Sequence, residues 1–260
     1  ETSPVKRAFT LKDRKMILDS PPSEANRLNR DDTFSFSCHS GLACFNTCCG
    51  NKHLPLTPYD MIRMKQALDM HSDAFLKKYV VYRAAPDSGF PILSVKRGKA
   101  DKRCPFVGTD GCSIYEDRPM ACRLYPLGRS STIQADDASA LREFFYLLDT
   151  PGCKGVEENE IQRVEEWTRS QALLPYIELN DQMLPLFFHP KRDRARPLHQ
   201  KQQQKILVAC YNIDRFRELV ATREFIELFK IEKQTLERVM VDDVALLRLG
   251  YAYLRRALFA

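Results

Sequence analysis

A chain of 260 residues, 44% hydrophobic and 28% charged, has the composition of an ordinary globular protein and can bury a core without covalent staples. Its formal net charge of +6 is spread among interleaved acids, which permits an acidic partner without demanding one. No apolar run reaches the length of a membrane span, the start "ETSPVKRAFTLKDRK" has no signal-peptide core, and cytoplasmic residence is the expectation.

In chain order, residues 1–33 are charged and proline-bearing and read as an extended arm lying on the body. "LTPYDMIRMKQALDM" predicts a helix of about three turns, with Thr57 as N-cap, Pro58 at the first position and Asp60 completing a capping box. Ser72 caps the next expected helix, "SDAFLKKYVVY". "FPILSVKRG" is a strand candidate ending at Gly98, and "STIQA", from Ser130, is a second. Pro119 reads as the first residue of a short helix carrying Cys122. Helical periodicity marks 138–148, 157–172, 200–220, 222–232 and 233–258. The last of these is amphipathic with interspersed arginines, which fits a core-covering helix better than a membrane-surface one. The basic, glutamine-rich stretch 189–205 reads as a solvated linker opening a helix rather than a phosphate grip. The expected fold is mostly α with small β elements: one domain in which two cysteine-bearing loops fold around a metal centre. Along the chain this divides into an arm (1–33), a cysteine-cluster metal-binding region (34–156) and a helical region packed on it (157–260).

Nine cysteines carry the chemistry, and an odd number in a non-secreted chain argues for reduced thiols rather than a disulfide framework. Seven fall in two groups: C-x5-C-x3-C-C over Cys38, Cys44, Cys48 and Cys49, and C-x7-C-x9-C over Cys104, Cys112 and Cys122. The doublet Cys48–Cys49 is awkward as a disulfide, because neighbouring Cα atoms lie closer than that bond prefers, and wasteful as packing. As metal ligands, two adjacent thiolates reach one site or two. The spacings are too wide for the paired hooks of zinc knuckles and suit an iron–sulfur cluster, and Cys104 is followed by proline, as some ferredoxin cysteines are. His39 and His53 flank the first group but read as solvated loop residues. Lys102, Arg118 and Arg123 lie close in sequence to the second group. They either offset thiolate charge there, or Arg118 is a turn residue and Arg123 a surface helix residue. Tyr115 and Tyr125 either shield the site or belong to the core.

The blocks "FSCHSGLACFNTCCG…LTPYDMIRMK", "CPFVGTDGCSIYEDRPMACRLYPLG", "TPGCKG", "VEEWTRSQALLPY" and "ACYNIDRFRELV" resemble the cysteine-cluster family of CxxCxxCC type, described as a zinc- or iron-chelating domain, to which the flagellin lysine N-methylases are distantly related. The resemblance runs from about Phe34 to Val220 and implies a cysteine-bound metal centre. It matches Cys44, Cys48, Cys49, Cys104, Cys112 and Cys122 to the family's central cysteines. Cys38 and Cys153 match additional positions of a branch with the "LTPYD" helix. Cys210, in the helical run "LVACYNID", reads as a buried structural cysteine.

Eight candidate thiolates exceed one four-ligand site, so two centres, or one cluster with spare thiols, are both open. The expected function is metal binding by one or two iron–sulfur clusters, 4Fe–4S ahead of zinc, in redox, cluster handling or protein modification. The alternatives are an iron–sulfur-dependent protein lysine N-methyltransferase using S-adenosylmethionine, for which no glycine-rich methyl-donor loop is found, and a zinc-stabilised interaction module. Another protein is the expected partner, nucleic acid is not, and the oligomeric state stays open.

Overall fold

A computed structural model describes residues 27–50, 54–100, 102–133, 141–193 and 195–259. The protein is mostly α with small β elements, and one hydrophobic core runs through it from Phe34 to Phe259. Most of the expected arm, and His53, lie outside the described residues.

Strand β1 (Thr33–Ser35) leads into the first cysteine loop, and β2 (Pro55–Leu56) follows it. Helix α1 (Pro58–Ala67) begins as its sequence dictates. Thr57 Oγ1 accepts from Asp60 N at 3.3 Å while Asp60 Oδ2 accepts from Thr57 N at 2.6 Å, the reciprocal capping box. Met61, Ile62 and Met64 bury its inner face. Helix α2 (Ser72–Tyr79) is capped by His71 rather than Ser72. The Ser72 hydroxyl is spent elsewhere, donating to Asn212 Oδ1 at 2.7 Å. The helix stops where Val80 and Val81 begin β3 (Val80–Ala84), which pairs with β4 (Pro91–Val95); β-branched side chains lose less in a strand than in a helix. β4 is central, in the order β2-β4-β3, and buries Leu93 and Val95.

The short helix α3 (Met120–Leu124), carrying Cys122, starts one residue later than expected, with Pro119 as its N-cap. β5 (Leu127–Ile133) extends the second strand candidate toward the N-terminus. Its antiparallel partner β6 (Leu141–Leu147) corrects the expected helix over 138–148, of which residues 138–140 lie outside the described residues. The aromatic run Phe144–Phe145–Tyr146 suits a pleated surface, and pairing with β5 sinks Phe145 completely. Arg129 fixes this hairpin to the helical half, with Nη2 at 2.7 Å from Glu143 Oε2 and 2.6 Å from Asp181 Oδ2.

β7 (Ile161–Arg163) pairs antiparallel with β1, so only the second part of the expected helix 157–172 is helical, as α4 (Val164–Ser170). Helices α5 (Leu174–Asp181) and α6 (Leu184–Phe187) follow, each with proline at its start. The run 200–220 divides into α7 (Gln200–Ile206), a π-turn (Leu207–Tyr211) and α8 (Ile213–Val220). α9 (Arg223–Phe229), α10 (Lys233–Val241) and α11 (Asp243–Phe259) complete the chain. The expected helix 233–258 breaks at Asp242, whose Oδ1 accepts from Val244 N and Ala245 N at 2.9 Å and caps α11. Gly250 permits the close approach of α11 to the π-turn: a Cβ there would stand 2.6 Å from Ala209 O.

A buried ionic group joins α1 to the C-terminal helices. Lys65 Nζ donates to both Asp214 oxygens at 3.0 and 3.1 Å and lies 3.2 Å from Asp243 Oδ2. Arg217 binds the same two carboxylates. No helix among the described residues is long and apolar enough to cross a membrane.

Candidate metal centre

Three loops tied to one another by backbone hydrogen bonds, and the short helix that ends the second, carry the eight candidate cysteines. The first follows β1, where Phe36 N donates to Glu160 O and Ser37 N to Gly155 O, each at 3.0 Å, and Gln162 Nε2 donates to Phe36 O at 2.7 Å. Cys38 is therefore delivered beside the loop that carries Cys153. A run of turns follows, Phe45 N to Leu42 O and Thr47 N to Cys44 O at 2.9 Å, ending in a 3₁₀ turn over Thr47–Cys49. Asn46 takes the left-handed conformation before it, φ 63°, which asparagine tolerates better than most residues.

The second loop docks on the end of the first: Cys104 N donates to Cys49 O at 3.0 Å, beside a Gly50–Arg103 bridge. It folds back on itself through Ser113 N to Phe106 O at 2.8 Å and a Val107–Cys112 bridge, bringing Cys112 toward Cys104. Helix α3 is then aimed by Asp60, whose Oδ1 accepts from Met120 N at 2.7 Å. In the third loop, Lys154 N donates to Cys44 Sγ at 3.2 Å, placing Cys153 against the first loop.

None of the nine cysteines, all of them described, is in a disulfide; Cys210 is buried in the π-turn, and Cys38 and Cys48 are exposed. Burial first, then the thiols of Cys48, Cys153 and Cys44, push the Cys38 thiol up. Cys49 is raised by a side-chain hydrogen bond with Cys48, then by burial, Cys48, Cys122 and Cys104. Cys122 is raised by burial, then by Cys104 and Cys112. Crowded thiols resist losing their protons because each new negative charge opposes the next, and a bound cation reverses that balance. Among the described residues, no three His, Cys, Asp or Glu side chains converge tightly enough to hold an ion as they stand.

The surroundings sort the flanking residues. Arg97 missed notice in the sequence because it closes a strand candidate. Its Nη1 donates to Cys49 O at 2.8 Å and Lys102 O at 3.1 Å, and its buried Nη2 has no acceptor among the described residues. Its charge lowers Cys104, as that of Arg118 lowers Cys112, though burial of each thiol outweighs the effect. Arg118 lies over the Tyr115 ring at 3.8 Å and donates to Tyr115 O and Gln171 Oε1 at 2.6 Å each. Arg123 is a buried brace rather than a surface helix residue, donating to Arg118 O at 3.0 Å, Gln171 O at 2.8 Å and Glu116 O. Lys102 is exposed. Tyr115 is exposed as well, whereas the Tyr125 hydroxyl shares a hydrogen bond with Cys153. His39 is occupied locally, accepting from Gly41 N at 3.2 Å and facing Glu158 Oε2 at 4.0 Å.

The donor set is soft sulfur throughout, with arginine charge at its inner edge, and such a set fits zinc or an iron–sulfur cluster. Residues 37–143 match the model of the CxxCxxCC family, described as a "putative zinc- or iron-chelating domain". No curated protein and no solved structure matches the chain. The matched segment holds seven of the eight candidate thiols; Cys153 lies beyond it.

Proposed function

We propose that this chain is an iron–sulfur protein, with cluster ligands drawn from Cys38, Cys44, Cys48, Cys49, Cys104, Cys112, Cys122 and Cys153, and that it serves electron transfer or cluster handling for a protein partner. The observation that carries the reading is Arg97. Its buried Nη2, without an acceptor among the described residues, stands on the arginine that holds the Cys49 carbonyl and whose charge is felt at Cys104. A buried guanidinium N–H without an acceptor is costly, and an anionic cluster with sulfide and thiolate sulfurs supplies one.

A cluster bound here supplies one-electron redox chemistry, at a potential set by charge, hydrogen bonds and exposure. The chain's own residues then have defined tasks. Asp60 positions the helix bearing Cys122, the Lys154 amide donates to Cys44 Sγ, and Arg97 and Arg118 offset thiolate charge. Tyr125 holds Cys153.

The test is iron and acid-labile sulfide in protein purified without oxygen. Two to four irons per cluster, with equal sulfide, are expected. Less than about one iron per chain, with zinc near stoichiometric, overturns the reading.

A further inference from the structure

We infer that the eight thiols form two separate four-cysteine metal centres, and that the adjacent pair is divided between them. Cys38, Cys44, Cys48 and Cys153 make an outer centre; Cys49, Cys104, Cys112 and Cys122 make an inner one. The inference rests on the thiols being ligands but not on which metal they hold.

Backbone connections draw the division. The Cys153 loop fastens to the first loop upstream of the doublet, through Ser37 N to Gly155 O and Lys154 N to Cys44 Sγ. The Cys104 loop fastens to the doublet's far end, through Cys104 N to Cys49 O and the Gly50–Arg103 bridge. The doublet lies in a 3₁₀ turn, in which successive side chains leave the axis about 120° apart. The two side chains stay within hydrogen-bonding reach of each other, so the two centres meet at this peptide bond, with different loops fastened before and after it.

The second loop continues directly into the helix that Asp60 aims through Met120 N, which keeps Cys122 with Cys104 and Cys112. The two centres also differ in character. The outer one has two exposed cysteines and a tyrosine hydroxyl on Cys153; the inner one has Arg97 and Arg118.

Cobalt(II) titration of the anaerobic apo chain, read by the thiolate-to-cobalt charge-transfer bands, tests the division. Saturation near two cobalt(II) per chain, each four-coordinate with sulfur, is expected. Cys38→Ser and Cys153→Ser should each remove about one full-thiolate equivalent, a twofold loss, as should Cys104→Ser and Cys112→Ser. Combining one variant from each group should remove both. Cys48→Ser should fail to add to Cys38→Ser, and Cys49→Ser should fail to add to Cys112→Ser. Far-UV circular dichroism checks the fold, and the exposed Cys38 provides an outer-centre variant that leaves packing intact. Saturation at about one equivalent, loss of all binding on a single outer substitution, or full binding by Cys38→Ser would overturn the inference while leaving metal binding standing. No cobalt binding at all would overturn the proposed function as well.

Discussion

Asp60 Oδ1 accepts the Met120 amide at 2.7 Å while its Oδ2 accepts that of Thr57 at 2.6 Å, so one buried carboxylate starts two helices. The second helix carries Cys122, two residues past the bond. Asparagine has one acceptor oxygen where two amides converge. Asp60→Asn should therefore destabilise the fold by about 1–3 kcal/mol, the cost of leaving one buried donor unpaired. It should also speed metal loss from the cysteines near Cys122. Urea unfolding and metal content of the same preparations measure both, and unchanged values would show the bonds to be dispensable.

The same residue gives a pH signature. Burial pushes the Asp60 carboxyl up to about 6, against hydrogen bonds from Met120 and Thr57 and the charge of Arg123 that pull it down. A folded-state value above the unfolded one means the native protein holds this proton more tightly. The contribution is fully present below the unfolded value of 3.8 and is lost as pH rises through 6. The metal-free protein should thus gain up to about 3 kcal/mol from this group between pH 7 and pH 4, and Asp60→Asn should abolish the gain.

Lys65 shares with Arg217 a buried cluster whose carboxylates are Asp214, on α8, and Asp243, at the start of α11. Lys65→Met should cost about 3 kcal/mol, because two buried carboxylates lose one of their two cations and keep only Arg217. Burial raises Asp214, but hydrogen bonds from Ser72 N, Lys65 and Arg217 outweigh it and bring the carboxyl down to about 2. This group's stabilisation is present above the ordinary carboxylate range and is lost as pH falls toward 2. An acid-unfolding midpoint that does not move in Asp214→Asn would refute the assignment.

Metal removal should lower the melting temperature, since binding free energy at a site assembled from separate loops is folding free energy. Cys210→Ala should leave metal content unchanged, because Cys210 lies in the π-turn, buried against the core rather than in the thiol loops. Loss of metal in Cys210→Ala, with the fold intact, would mean a ligand set different from the eight.

Local chemistry was legible in the sequence and long-range connections were not. The Thr57–Asp60 capping box can be read from four residues, because both partners lie within one turn. The second bond of Asp60, to Met120, spans sixty positions and leaves no local mark. Residues 138–148 carry a helix-compatible period, yet β5 supplies a pairing edge that the period cannot reveal. The two cysteine groups announce themselves by composition. Arg97 does not, since its position among them depends on where β4 ends and how the Cys104 loop returns to Cys49. Arg123 looked like a surface residue for the same reason: the carbonyls it braces belong to Glu116, Arg118 and the distant Gln171.

The β1–β7 ladder works as a drawstring. Between Ser35 and Ile161 the chain leaves and re-enters the body through three paired positions, with Ile161 70% exposed at one end. A ladder this short, with Thr33, Ser35, Ile161 and Arg163 exposed around the buried Phe34, opens more readily than long core elements in native fluctuations. When this one slackens, the freed backbone is that of Ser37 and Gly155, and Cys38 and Cys153 part first. Cys122 stays behind, moored by Asp60 to a helix that has not moved. An alkylating reagent in limited supply therefore meets the cysteines in a fixed order, from the mouth of the purse inward.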